Sequence, residues 1–229
     1  MFTIVKYIRV ISVTLNLMED EKMIVLVHGF YRNKTDMSYL ETQLNSLGYE
    51  TFVANLPTTF GTLKEMVDAL ALQLESLKEQ EISFVAHSMG GLIVREYINA
   101  HNELKIKKCI FIATPHHGSQ LADIAMSIPL FASVFKPIEE LKTTNKYKAF
   151  RDKTFDLGLI AGENNKDILG RFFMPKQSDG KVSIDSVKTD DADDFVVLPF
   201  EHDNIHKKKE TLKQVVSFLE TSKFKEKTL

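Results

Sequence analysis

The feature that most constrains this chain is a set of short, largely apolar runs spaced between amphipathic segments. Residues 23–27 read MIVLV, 82–86 ISFVA, 106–113 IKKCIFIA and 155–161 FDLGLIA. A strand open to water on one side alternates apolar with polar, whereas a largely continuous apolar run is what a strand covered on both faces needs. The segments between these runs carry helical signals. Met37, Leu40, Leu44 and Leu47 recur at helical spacing over residues 35–47, and Gly48 follows as a C-cap. Thr62 and Glu65 form a capping box that opens a helix to about residue 79. Residues 90–101 and 208–220 read as further helices, 49–54 and 195–198 as weaker strands, and 118–150 as irregular and partly helical. Strand and helix in alternation imply a mostly parallel central sheet with helices on both faces. In such sheets chemistry gathers at the C-terminal ends of the strands.

Length and charge narrow the field. With 229 residues, 44% hydrophobic, the chain is expected to form one domain over residues 1–229. A net charge of −2 gives no general attraction to nucleic acid or anionic membrane. One cysteine, Cys109, excludes an intrachain disulfide and a thiolate zinc cluster. It fits a reducing compartment, so a cytoplasmic location is expected, with membrane association or export as the alternative. Residues 2–17 are apolar and β-branched, but Lys6 and Arg9 interrupt them, and the stretch is too short to span a bilayer. They read as one or two edge strands. A signal or membrane anchor in contact with a membrane surface, and a loosely attached extension ahead of a start at Met18 or Met23, are the other readings.

Each strand gives way to a distinctive segment. After Val27 comes His28-Gly29-Phe30, and after Val85 comes Ala86-His87-Ser88-Met89-Gly90-Gly91. After Ala113 comes Thr114-Pro115-His116-His117-Gly118-Ser119. Ser178-Asp179-Gly180 lies beyond the 155–161 strand, and His202-Asp203-Asn204-Ile205-His206 lies beyond Leu198. Ala86-x-Ser88-x-Gly90 between strand and helix is a nucleophile elbow with alanine in the first position. Small residues two before and two after the serine are needed because the strand passes into the helix through a sharp, strained turn. That turn lifts the hydroxyl above the sheet and aims the Met89 N–H at the same point from a helix N-terminus. Gly29 allows a tight turn that brings the Phe30 N–H toward it, which gives two candidate oxyanion donors.

In VLVHGF, AHSMGG, TPHHGS, SDGKVS and the H-x-x-I segment before the last helix, taken in that order, the chain resembles the α/β-hydrolase superfamily. The likeness is to its bacterial lipase/esterase-like members and covers about residues 23–222. The resemblance implies a three-layer fold, a Ser-Asp-His triad in that chain order, and hydrolysis of carboxylic esters through an acyl-enzyme without metal or cofactor. A full superfamily sheet has two more leading strands, so a trimmed sheet is expected. Asp179 matches the lipase DG-x-V pattern, with Glu163 and then Asp185 behind it. The acidic run at residues 190–194 precedes a strand, on the wrong side of the sheet for catalysis, and reads as a solvated loop. His202 stands where family members place the base, ahead of an apolar residue three positions on.

The expected substrate is a small-molecule hydrophobic acyl ester; acyl transfer by the same triad and a non-catalytic binding module on the same fold are the rival readings. His87, beside the serine, and His117, in the TPHHGS loop, are expected to line its site. Residues 119–150, apolar through Leu121, Ile124, Phe131 and Phe135 among others, read either as a cap over the elbow or as a core-packed helix; Phe131 and Phe135 are the acyl-wall candidates. His202 and His206 are four apart, a metal-ligand spacing on a helix. Asp203 stands where a zinc protease has its glutamate, and no third ligand is evident, so no metal is expected.

Overall fold

The computed structural model describes residues 23–226, apart from 102, 146, 148, 151–152, 167–171 and the side chains of Phe131 and Ala132. The membrane-contact reading of residues 2–17 therefore lies outside the described residues.

Six parallel strands form one sheet in the order β2-β1-β3-β4-β5-β6. They are β1 (Met23–Val27), β2 (Glu50–Val53), β3 (Glu81–His87), β4 (Lys105–Ile112), β5 (Asp156–Gly162) and β6 (Asp194–Leu198). Among the described residues every strand pair is parallel, where the sequence suggested a mostly parallel sheet. The apolar runs have the anticipated cause. Met23, Val25 and Val27 of β1 face one apolar cluster, and Ile24 and Leu26 face another. Phe84 against Val85 in β3 and Phe111 against Ile110 in β4 divide the same way. Helices α2 (Leu63–Leu74) and α3 (Met89–Ala100) seal the first face, and α1 (Ser38–Ser46) and α7 (Lys209–Thr221) seal the second. Each side chain buried completely in this way contributes about 1.5–3 kcal/mol.

Element ends differ from the sequence reading by a residue or a turn. The first helix starts with a 3₁₀ turn, Lys34–Met37, because the Asn33 side chain accepts from the Thr35 N–H and re-aims the chain there. Thr62 and Glu65 do form the capping box, but α2 ends at Leu74 and continues as a 3₁₀ turn, Glu75–Leu77. Lys108 lies within an apolar run, and its buried ammonium donates to the last-turn carbonyls of Phe218 and Leu219, 3.0 and 2.9 Å away. It caps α7 from beneath, satisfying carbonyls that a helix end leaves free.

The acidic run at residues 190–194 is not simply a solvated loop. Arg95 of α3 is 1% exposed, and its guanidinium donates to Asp191 at 2.6 Å beneath the Phe150 ring. Burial alone would raise the Asp191 pKa, yet the Arg95 pairing, aided by the Phe150 N–H, brings it down to about 2. Asp193 pairs with Lys153 and accepts from the Leu157 N–H. The run clamps the N-terminal end of β6, the end away from His202. Its charge spacing gave no sign that an arginine would be buried against it.

Residues 119–150 contain α4 (Gln120–Met126), α5 (Pro129–Val134) and a 3₁₀ turn, Lys136–Leu141. A short α6 (Ile184–Val187) follows the Asp179 turn.

Candidate active site

Three strand ends converge on Ser88. The serine joins β3 to α3 with φ 55° and ψ −128°, a left-handed backbone that a non-glycine residue adopts only when its surroundings enforce it. The enforcement is visible. The Ser88 N–H donates to the Ile112 carbonyl at 2.8 Å, and the Thr114 hydroxyl donates to the Ser88 carbonyl at 2.9 Å. A Cβ on Gly90 would lie 2.6 Å from the Val27 carbonyl oxygen, so only glycine lets the elbow press against the end of β1. A Cβ on Gly29 would lie 2.9 Å from Ser88 Cβ. The chain thus leaves β1 in contact with the serine, with the Phe30 amide next along it. The Met89 amide, at the first residue of α3, belongs to the N–H groups that a helix start leaves without intrahelical partners.

His202 follows β6, and its Nε2 lies 2.9 Å from Ser88 Oγ. Its Nδ1 lies 2.7 Å from Asp179 Oδ2. Asp179 Oδ1 accepts from the Val182 and Lys181 amides at 2.8 and 3.0 Å. The His202 N–H in turn donates to the Asp179 carbonyl at 3.0 Å. Asp179, 2% exposed, can only accept when ionised, so the proton of this pair sits on Nδ1. The Nε2 lone pair then faces the serine hydroxyl. Such an array can take a proton from Ser88 and hold the resulting imidazolium against a fixed carboxylate. Glu163, the alternative acid, is exposed, and its N–H is tied to the Leu198 carbonyl.

A cleft of about 400 Å³ opens over the serine, walled by Phe30, Tyr31, Leu121, Phe135, Ile138 and Leu141. Phe135 meets Phe30 edge-on with centroids 6.1 Å apart and stacks on Phe60 at 5.8 Å. It is the acyl-wall candidate found lining the cleft; the side chain of Phe131 lies outside the described residues. On α4, Leu121, Ala122 and Ala125 border the cleft, while Ile124 stays 39% exposed. At the rim, Arg32 and Lys181 both donate to the Asp203 carboxylate, at 2.9 and 2.7 Å. Burial would raise the Asp203 pKa, but the Lys181 and Arg32 contacts lower it instead.

The other histidines take different places. His117 does not line the cleft: it is exposed, and its Nε2 donates to the Lys188 carbonyl at 3.1 Å. The chain turns at Pro115, sending this side chain toward α6 rather than toward the elbow. His116 is buried, its Nδ1 donates to the Val187 carbonyl at 2.7 Å, and burial, aided by the Arg95 charge, pushes its pKa down to about 3. His87 borders the cleft, but its Nε2 donates to the His202 carbonyl at 3.0 Å, so it holds the His202 backbone. Its ring stacks on His206 at 3.9 Å. His206 lies in a 3₁₀ turn, Ile205–Lys207, not on the final helix, and it faces Asp36. No sequence signal singles out Asp36, because in a helical pattern it reads as one more solvent-facing acid.

The parallel sheet, its strand order and the serine on the turn after β3 define the α/β-hydrolase fold. Solved structures with the same fold include the mature form of the Bacillus licheniformis lipase BlEst2 (TM-score 0.72, 22% identity, 88% of this chain and 92% of that one). The metagenomic carboxyl esterase MGS0156 is another (TM-score 0.67, 15% identity, 80% of this chain and 65% of that one). Residues 18–183 match the family described as "Putative serine esterase (DUF676)", and the chain belongs to that family. Among curated proteins it is similar to triacylglycerol lipase 2 of Saccharomyces cerevisiae, 30% identical over 129 residues, 51% of this chain and 37% of that protein. A triacylglycerol lipase of Pseudarthrobacter phenanthrenivorans is 27% identical over 117 residues, 46% of this chain and 36% of that protein. The matched region thus spans a little over a third of the length of these relatives.

Proposed function

We propose that this protein hydrolyses carboxylic esters of hydrophobic acids through an acyl-enzyme on Ser88. The observation that carries this reading is the unbroken chain from Asp179 to His202 to Ser88, at 2.7 and 2.9 Å, on a strained elbow. In the first half-reaction the Ser88 oxygen attacks the acyl carbon while His202 Nε2 takes its proton. The Phe30 and Met89 amides hold the oxyanion, each such donor being worth about 2.7–4 kcal/mol. His202 then gives the proton to the departing alcohol. In the second half a water, deprotonated by His202, attacks the acyl carbon, and Ser88 leaves with the proton. The aromatic and aliphatic wall formed by Phe30, Phe135 and Leu141 supports a hydrophobic acyl group, because such a wall gains by removing methylenes from water.

The test is labelling with a fluorophosphonate followed by turnover of p-nitrophenyl esters. Wild-type protein is expected to label stoichiometrically and Ser88→Ala not at all, with turnover lowered at least about 10⁴-fold. Labelling that persists in Ser88→Ala removes the serine from the mechanism.

A further inference from the structure

Behind the loop that carries His202 lies a second cluster, which the ester chemistry does not use. Asp36 comes from the 3₁₀ turn Lys34–Met37, His87 from the end of β3, and His206 from the turn Ile205–Lys207. His87 is 2% exposed and His206 1%. One ligand-type atom from each of the three residues lies within 4.8 Å of the others. Asp36 Oδ2, His87 Nδ1 and both ring nitrogens of His206 are buried with no hydrogen-bond partner among the described residues.

The tautomers make this arrangement specific. His87 Nε2 faces the His202 carbonyl, which can only accept, so the His87 proton sits on Nε2 and Nδ1 presents a lone pair. That lone pair lies 3.9 Å from Asp36 Oδ2. The other Asp36 oxygen pairs with the Lys207 ammonium at 2.6 Å, as an ionised carboxylate does. Two buried acceptors therefore face each other. Opposed lone pairs in a dry site are costly unless a proton or a cation lies between them. His206 Nε2 is 3.2 Å from Asp36 Oδ2, but the two are not aligned as a hydrogen bond.

We propose that Asp36, His87 and His206 form a buried zinc-type divalent-cation site. Two imidazoles and a carboxylate are a common zinc donor set, with bonds of about 2.0–2.2 Å, which puts ligand atoms about 3.3–3.5 Å apart in a tetrahedron. The separations of 3.2 and 3.9 Å bracket that spacing. The imidazoles stack with planes 26° apart, so the His206 ring turns about its Cβ–Cγ bond to aim at the ion, and it breaks no bond in doing so. A metal-bound histidine usually donates its other N–H to a carbonyl or carboxylate, and His87 does this to the His202 carbonyl. The site thereby ties the 3₁₀ turn after β1, the elbow and the loop of the base into one unit. His202 is not a ligand, because its two nitrogens face Ser88 and Asp179.

The experiment uses the full chain, stripped with a chelator and titrated with Co²⁺ and then Zn²⁺. The expected result is one equivalent of Co²⁺ per chain, with visible bands of a low-coordinate ion that Zn²⁺ abolishes, and a melting temperature raised several degrees by excess Zn²⁺. Ser88→Ala should bind identically. Asp36→Asn and His206→Gln should each weaken binding about 10²-fold or more, and His206→Cys should bind and add a thiolate-to-cobalt charge-transfer band. Because that band reports ligation directly, it distinguishes a metal site from a merely structural cluster even where the other variants are poorly folded. Absence of Co²⁺ bands in the wild type, absence of the charge-transfer band in folded His206→Cys, or loss of binding in Ser88→Ala overturns the proposal. The last outcome would put the ion on the serine and His202 instead.

Discussion

Replacing Asp179 by asparagine tests the role of the carboxylate more sharply than deleting it, because the surroundings dictate how an amide must sit there. Oδ1 accepts from two backbone N–H groups, those of Lys181 and Val182. An amide nitrogen cannot accept, so the asparagine oxygen must take the Oδ1 position and its NH₂ must point at His202 Nδ1. That donor fixes the imidazole in the opposite tautomer, with its proton on Nε2, 2.9 Å from Ser88 Oγ. The base then presents a proton to the hydroxyl it should deprotonate. A wrong tautomer of this kind costs about 10⁴-fold in kcat in serine hydrolases, or about 5.4 kcal/mol of barrier. The fold should lose little, because amide and carboxylate share a shape and the lost charge-assisted bond is worth about 1.5–3 kcal/mol. Steady-state kcat and KM on a soluble p-nitrophenyl ester, alongside a thermal melt, decide the matter. A folded Asp179→Asn enzyme that keeps more than about a tenth of wild-type kcat would refute the tautomer argument.

Other perturbations separate the remaining parts. Phe135→Ser should flatten the preference for longer acyl chains, which in the wild type should rise up to about fourfold per methylene, and should spare acetate esters; an unchanged chain-length profile argues against the wall. Ile128 and Leu130 are 52% and 77% exposed, so serine at both should leave the melting temperature within about 2 °C, whereas a core-packed segment would melt markedly lower. Asp191→Asn leaves the buried Arg95 guanidinium without its carboxylate and should cost about 3–5 kcal/mol in a urea titration, with kcat retained. His116 is held neutral, with its pKa at about 3 in the fold against about 6.5 unfolded, so its contribution to stability is present above pH 6.5 and is lost as pH falls toward 3. Between pH 7 and pH 5 that loss is about 2 kcal/mol, and His116→Asn should show a correspondingly smaller change between urea titrations at the two pH values.

The sheet could be read from the chain because a strand buried on both faces has little freedom of composition. β1, β3, β4 and β5 each announce themselves as apolar runs, and the residues after them are constrained by what must fit at a strand end. Gly29 and Gly90 are small because the Ser88 Cβ and the Val27 carbonyl oxygen, respectively, lie within 3 Å of where a Cβ would stand. Constraints of this kind are local, so they leave a mark on a few adjacent residues. The Asp191–Arg95 pair is different. The arginine sits mid-helix, 96 positions from its partner, and either residue alone looks like surface charge. His117 misled for a related reason: the motif fixes the loop, but the side chain's direction depends on where α6 offers a carbonyl, and that is set by a distant part of the chain.

The support of His202 shows the same limit at the proposed site. Ser88 and His202 are 114 positions apart and must be held to within fractions of an ångström. The hydrogen bond from His87 to the His202 carbonyl does part of this holding, and it is built from the residue next to Ser88. A change that shifts the His87 ring therefore moves His202 relative to the Ser88 hydroxyl. The ring is itself wedged between His202, with centroids 5.0 Å away, and His206 at 3.9 Å. Substituting His206 should therefore reach kcat through two stacked rings and one backbone bond, leaving KM for a small ester nearly unchanged, since His206 is absent from the cleft lining. A His206→Gln variant whose KM rises while kcat holds would show that the ring stack does not transmit its position to His202.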